Sequence, residues 1–243
     1  MRTAIITGAS SGIGAALAER LAREGYNLLL AGRDPARLEQ TLGKARAHGV
    51  EAVSVTADIR SPEAPDKIAK AAESVFGQVD VLVNNAGISS YGMLEQTTVE
   101  MLDEALNVHV RFPMLLTAKA LPLVRSGGSI LFVGTNLAHI GMPGMSVYTA
   151  AKGAVEALAR SLAVELGPRG ITVNAVSPGL VRTPMTAGIT GDRDAEAQAI
   201  SESPVGRLGT PEELAEVMTF LVSAGSGYVN GVSLIVDGGR HLR

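Results

Sequence analysis

The sequence predicts an α/β fold built on a parallel sheet, and three observations carry that prediction. Seven short runs rich in Val, Ile and Leu recur along the chain, at 3–7, 27–31, 51–57, 79–84, 129–134, 171–177 and 232–237. Several are apolar almost throughout instead of alternating, as strands are when helices cover both faces of their sheet. Between them lie helical stretches with readable starts, giving the strand–helix alternation of a doubly wound sheet.

The first run, TAIIT at 3–7, leads through Thr7-Gly8-Ala9-Ser10-Ser11-Gly12-Ile13-Gly14 into the helical AALAERLAREG. The glycine spacing differs from the usual dinucleotide fingerprint, but the mechanics are the same. Gly8 allows a sharp exit from the strand, Gly12 a close approach to a pyrophosphate, and Gly14 close packing of the helix on the sheet. The helix N-terminus then offers free N–H groups and partial positive charge to phosphates, with Ser10, Ser11 and Ile13 in the same turn. A tight structural turn alone would also use glycines; the strand–turn–helix context favours a nucleotide site in a Rossmann-like fold.

After the second run an NAD site would place a carboxylate against the adenosine ribose. Here stand Gly32 and Arg33, and Arg33 suits a ribose 2′-phosphate. Asp34 does not replace the missing acid, because Pro35 behind it marks Asp34 as a helix cap. NADP(H) is therefore favoured over NAD(H), the alternative being a merely solvated Arg33. Ser61–Pro62 and Thr210–Pro211 read as further caps, and Glu213 completes a capping box with Thr210. The stretch 184–209, with its prolines and glycines around a polar helical patch, reads as a substrate lid.

Composition narrows the class. The 243 residues are 46% hydrophobic and 19% charged, enough to bury a large core in one domain spanning 1–243. Aromatic content is 3% with no Trp, so the core must be Ala, Val, Leu and Ile. A net charge of −3 with scattered Lys and Arg gives no field for nucleic acid. Cysteine is absent, which excludes disulfides and thiol catalysis and removes the commonest zinc spacings, so no metal is expected. Nothing resembles a signal peptide or a membrane span, and a cytoplasmic protein is expected.

Tyr148 and Lys152 carry the chemistry. Four residues apart on a helix, phenol and ammonium share a face. A neighbouring ammonium is expected to favour the phenolate, making Tyr148 a proton donor and acceptor near neutrality. Lowering its pKa by about three units takes roughly 4 kcal/mol. One lysine supplies that only with a second positive charge, such as an oxidised nicotinamide. A surface i, i+4 pair is the plainer account of the two residues alone.

In this order the motifs resemble the short-chain dehydrogenase/reductase family over essentially the whole chain. TGASSGIG (7–14) looks like its cofactor turn, Asp58-Ile59 like its adenine contact, and Asn84-Asn85-Ala86-Gly87 like the segment closing the fourth strand beside the cofactor. Asn107 matches the asparagine of the family's proton relay, and Tyr148 and Lys152 its catalytic pair. The segment Ser177-Pro178-Gly179-Leu180-Val181-Arg182-Thr183 resembles the nicotinamide turn, with Val181 and Thr183 near the carboxamide. Gly206-Arg207-Leu208-Gly209, Pro211-Glu212-Glu213 and Val236-Asp237-Gly238-Gly239 complete the pattern.

The resemblance implies hydride transfer between NADP(H) and a carbonyl or secondary alcohol, in a homotetramer or homodimer. One position departs: where the family's serine is expected, thirteen residues before the tyrosine, stands Thr135. A threonine keeps the hydroxyl for a substrate carbonyl, while its methyl narrows the pocket. A catalytically impaired NADP-binding sensor or scaffold is the competing reading this substitution raises. His109, two residues beyond Asn107, is expected to face away and pack. His139 is placed in a loop, at the substrate or in water. The methionines suggest an adaptable pocket wall. A 3-oxoacyl thioester is one candidate substrate, with Arg125 and Arg169 placed to meet an acidic carrier near the cleft.

Overall fold

The computed structural model describes residues 1–243, and its strands follow the apolar runs. They are β1 (Arg2–Thr7), β2 (Tyr26–Gly32), β3 (Ala52–Thr56), β4 (Val79–Asn84), β5 (Val124–Val133), β6 (Thr172–Pro178) and β7 (Ser233–Val236). They form one sheet in the order β3-β2-β1-β4-β5-β6-β7, every neighbour parallel. From β1 the chain steps outward to β2 and β3, then returns to β4 on the other side. That reversal opens a crevice at the C-terminal ends of β1 and β4, where open α/β sheets bind ligands.

Successive strand residues feed two separate cores, which is why the runs read as continuously apolar. Ile6, Leu28 and Leu30 join Leu17, Leu21, Leu38, Leu42, Leu214 and Met218 beneath α1 (Gly12–Arg23), α2 (Pro35–Arg46) and α9 (Pro211–Leu221). Ile5, Leu29 and Ala31 join Ile68, Leu116, Val155 and Ala159 beneath α3 (Ala64–Phe76), α5 (Phe112–Ala120) and α6 (Ser146–Leu166). No helix is long and apolar enough to cross a membrane.

The caps divide. Asp34 accepts from Arg37 N at 3.1 Å, and Thr210 and Glu213 exchange both bonds of the capping box. Ser61 does not cap: α3 starts at Ala64, with Pro65 in its first turn, and Ser61–Glu63 form the turn before it. The serine-proline pair was one turn early because a second proline follows. Strand β5 begins five residues before the expected 129, running through Gly127–Gly128 with a register irregularity against β4. Between α4 (Val99–Leu106) and α5 the helix widens into one π turn, Asn107–Arg111. The segment 184–209 holds two short helices, α7 (Ala187–Thr190) and α8 (Arg193–Ser201), the second capped by Asp192.

Candidate active site

The glycine turn is rigid by construction. Gly8 and Gly12 adopt φ of 68° and 55°, the left-handed region that favours glycine. A Cβ on Gly14 would collide with the Gly8 carbonyl oxygen and sit 2.6 Å from Asn85 Nδ2. Thr7 and Asn85 clamp the turn to β4. The Thr7 hydroxyl accepts from Asn85 N at 3.0 Å and Ala86 N at 3.1 Å, and Asn85 Nδ2 donates to Thr7 O at 2.8 Å. Helix α1 then opens with no side-chain cap and no acidic residue in its first turn. Uncapped N–H groups, a glycine cradle and no competing carboxylate fit a pyrophosphate.

At the end of β2, a Cβ on Gly32 would meet Leu38 and Ser10 at 3.3 Å, so this strand end is close-packed around the glycine. Arg33 is exposed and makes no ion pair, whereas Arg37 beside it is paired with Asp34 at 3.3 Å. Asp58 follows β3 with its carboxylate accepting from Arg60 N at 3.0 Å, and Ile59 is buried. On the far side, β6 ends at Pro178, and Gly179 lies against Asp237 with no room for a side chain. Val181 is buried, and Thr183 packs its side chain over Gly12, linking this turn to the glycine cradle. Gly87 is likewise crowded, a Cβ there meeting His109 at 2.9 Å.

Tyr148 and Lys152 project from α6 toward the end of β5. Lys152 is 5% exposed and its Nζ donates to Val133 O at 2.6 Å. Thr135 is buried next to that carbonyl; its hydroxyl oxygen accepts from Leu137 N at 3.3 Å and caps the short turn Asn136–Ala138. Burial pushes the Tyr148 phenol up to about 12, and a hydrogen bond with the Thr135 side chain pulls the other way. Burial also pulls Lys152 down to about 8. Lys152 alone does not acidify Tyr148, as expected of one lysine without the second positive charge of an oxidised nicotinamide. The ammonium is engaged by a backbone carbonyl, and burial of the phenol dominates, so the protein by itself holds Tyr148 as the protonated acid.

The π turn brings His109 to the site, against the expectation that it faces away. Widening the helix by one residue turns this histidine toward Tyr148, with ring centroids 5.4 Å apart and planes at 90°. Its Nε2 donates to Ile88 O at 3.0 Å, and burial, then the Lys152 charge, lowers it to about 3. His109 is therefore neutral, with the proton on Nε2 and a bare Nδ1. Asn107 donates its side-chain amide to Arg60 O at 3.1 Å, and its carbonyl accepts from Phe112 N. A void of about 10 Å³ lies beside Lys152, lined by Thr7, Asn84 and His109 among apolar groups. Such a space holds about one water. Asn84 Oδ1 and His109 Nδ1 are both buried without another protein partner.

Sequence reasoning missed the place of His109 and the clamp by Thr7, and named Asn84 only as part of the segment closing β4. Only Thr7, directly before the glycines, carried a local signal. It also misplaced Arg125 and Arg169. Arg125 opens β5 and pairs with Asp80, while Arg169 precedes β6 and donates to Leu121 O at 3.2 Å. Both lie at the N-terminal edge of the sheet, opposite the cleft, because parallel strands all point the same way.

Comparison with known proteins agrees with this geometry. A family model described as enoyl-(acyl carrier protein) reductase matches residues 8–241. The short-chain reductase protein NovJ of Streptomyces niveus is 38% identical, covering 98% of this chain and 93% of NovJ. Versicolorin reductase 1 of Aspergillus parasiticus is 32% identical over 98% of this chain and 95% of its own. Among solved structures, a short-chain dehydrogenase from Burkholderia cenocepacia in complex with NADP superposes with a TM-score of 0.93, at 36% identity over 98% of this chain and 97% of that one. The site is that of a nicotinamide-dependent oxidoreductase. The chain belongs to the short-chain dehydrogenase/reductase family.

Proposed function

We propose that the protein is an NADP(H)-dependent carbonyl reductase acting on an apolar ketone, with the secondary alcohol as its product. The observation that carries this is the pairing of Tyr148 and Lys152 one turn apart on α6, with the Lys152 ammonium on the Val133 carbonyl two residues before the buried Thr135. When bound, the cofactor supplies the hydride. Tyr148 donates the proton to the carbonyl oxygen, and a phenol pushed up by burial is suited to that direction. The Thr135 hydroxyl holds the same oxygen and stabilises its charge, doing the work of a serine. Lys152 anchors the end of β5 and stands next to the phenol, with the small void, Asn84 and His109 as its route for proton resupply. Asn107 supports that route from the π turn.

NADP(H) is preferred over NAD(H) because Arg33 is unpaired where an acid would otherwise stand, and Gly32 has no side chain to repel a phosphate. Tyr91, Met93, Leu94, Met142 and Met185 are exposed on the segments flanking the cleft, which supports an apolar substrate and a lid at 184–209. The chain is read as one domain. Exposed Leu102, Leu106, Met114 and Val164 on α4, α5 and α6 support a homodimer or homotetramer. A 3-oxoacyl thioester is one ketone of this class, which Arg125 and Arg169, at the opposite edge of the sheet, do not recommend.

The test is cofactor oxidation against a panel of aryl, alicyclic and 3-oxoacyl ketones, with NADPH and NADH in parallel. Turnover with NADPH, lost in Tyr148→Phe, is expected. Tight NADPH binding with no ketone reduced would replace the reductase by a nucleotide-binding sensor.

A further inference from the structure

Three successive turns of α6 face the exit of β5. Tyr148 meets the Thr135 hydroxyl, Lys152 takes the Val133 carbonyl, and Glu156, one turn further on, lies against Gly134. Glu156 is 3% exposed. Its Oε1 accepts from Ser177 Oγ at 2.5 Å, and His139 Nε2 lies 3.2 Å from Oε1 and 3.1 Å from Oε2. A Cβ on Gly134 would stand 2.7 Å from Ser177 Oγ and 3.1 Å from Glu156 Oε1, so this carboxylate is packed onto the backbone that leads into Thr135. His139 follows the short turn that Thr135 caps. One carboxylate thus grips both ends of the segment 134–139, and the segment's middle is tied elsewhere, by Asn136 Nδ2 to Asp237 at 3.1 Å.

Burying a carboxylate with no Lys or Arg partner is costly, and an apolar side chain would fill the same space without that cost. What the carboxylate adds is direction: a hydroxyl and an imidazole both point at it, and the loop between them is held in one geometry. We infer that Glu156 is a positioning residue for carbonyl reduction, acting through Ser177 and His139 to set the hydroxyl of Thr135. The inference rests on the reading of Thr135 given above.

The experiment is a double-mutant cycle on the whole enzyme, measuring kcat with NADPH and a ketone it turns over, and NADPH dissociation by fluorescence. Glu156→Leu is expected to lower kcat about 10- to 100-fold, the usual effect of a small misplacement of a reacting group. NADPH affinity stays within about twofold, because nothing in the glycine cradle moves. In a Thr135→Ala background the same substitution costs nothing further. Glu156→Gln restores most of the rate, since its amide oxygen still accepts from Ser177 and its NH₂ stays within reach of His139 Nε2. His139→Ala, at a side chain one-third exposed, gives the same Thr135-dependent loss and decides the matter if Glu156→Leu does not fold. Equal losses with and without Thr135, or no loss at all, overturn the inference. A Thr135→Ala enzyme as fast as the parent overturns the reading of Thr135 and this inference with it. A crippled one with additive losses overturns the inference alone.

Discussion

The floor and the rim of the cleft are built on different rules. On the floor, at the ends of β1, β4 and β5, nearly every polar side chain is committed to backbone: Thr7 to Asn85 and Ala86, Lys152 to Val133, His109 to Ile88. On the rim, segments 88–97 and 184–209 carry exposed Tyr91, Leu94, Met185 and Val205 and few long-range bonds. The rim is latched to the rest at isolated points, such as Gly92 N to Gly144 O at 2.9 Å and Gly209 N to Leu180 O at 3.1 Å. The difference teaches where precision is needed. Proton and hydride transfer demand fixed geometry, whereas recognition of a substrate is served by surfaces that adapt.

Substitutions on the floor are expected to act on rate, and the largest is at Tyr148. Tyr148→Phe removes the acid and lowers kcat by about 10²- to 10⁴-fold, with NADPH affinity nearly unchanged; steady-state rates beside a binding titration read both. Next is Thr135→Ala, expected to cost about 10²-fold in kcat as a lost oxyanion donor does, while Thr135→Ser keeps the parent rate. If Ala and Ser variants ran equally fast, the floor would owe nothing to that hydroxyl.

Arg33→Ser tests the phosphate end: loss of a charge-assisted bond of about 1.5–3 kcal/mol raises KM for NADPH roughly 10- to 100-fold and leaves KM for NADH alone. Equal shifts for both cofactors would leave Arg33 a solvated cation. His109 gives a pH signature. Its folded pKa, about 3, lies below the ordinary 6.5, so between those values the unfolded chain binds the proton and the native chain does not. Stability from neutral His109 is complete above pH 6.5 and is lost as pH falls toward 3, by about 2 kcal/mol at pH 5. His109→Gln, which keeps a neutral donor, flattens that acid limb in denaturant titrations. The smallest effect belongs to the rim. Met185→Ala is expected to change stability by less than about 0.5 kcal/mol while shifting KM among bulky ketones. A large loss of stability there would erase the contrast between the two regions.

The strands were legible because residues on both faces are buried, so Leu28, Leu29 and Leu30 declare themselves whichever core each one enters. The glycine turn was legible because Gly8, Gly12 and Gly14 are each required by a backbone angle or a collision. Spacing also placed Tyr148 and Lys152 on one helix face. What spacing did not give was the partner of each group. Lys152 reaches a carbonyl contributed by β5, nineteen residues earlier in the chain, and the burial that sets Tyr148 comes from the surrounding packing. His109 was misread for another reason. Positions on a helix were counted at 3.6 residues per turn, and the count fails where the winding loosens.

That loosened winding has a practical consequence for anyone re-engineering the chain. Deleting one residue between 107 and 111 would restore ordinary coiling, and a regular helix is the stronger hydrogen-bonded object. It would also swing the remaining positions of the segment through about 100°, carrying the imidazole off the phenol and withdrawing its bond from Ile88. The regular helix would therefore be had only by giving up the contact between imidazole and phenol, with a slower catalyst as the expected result.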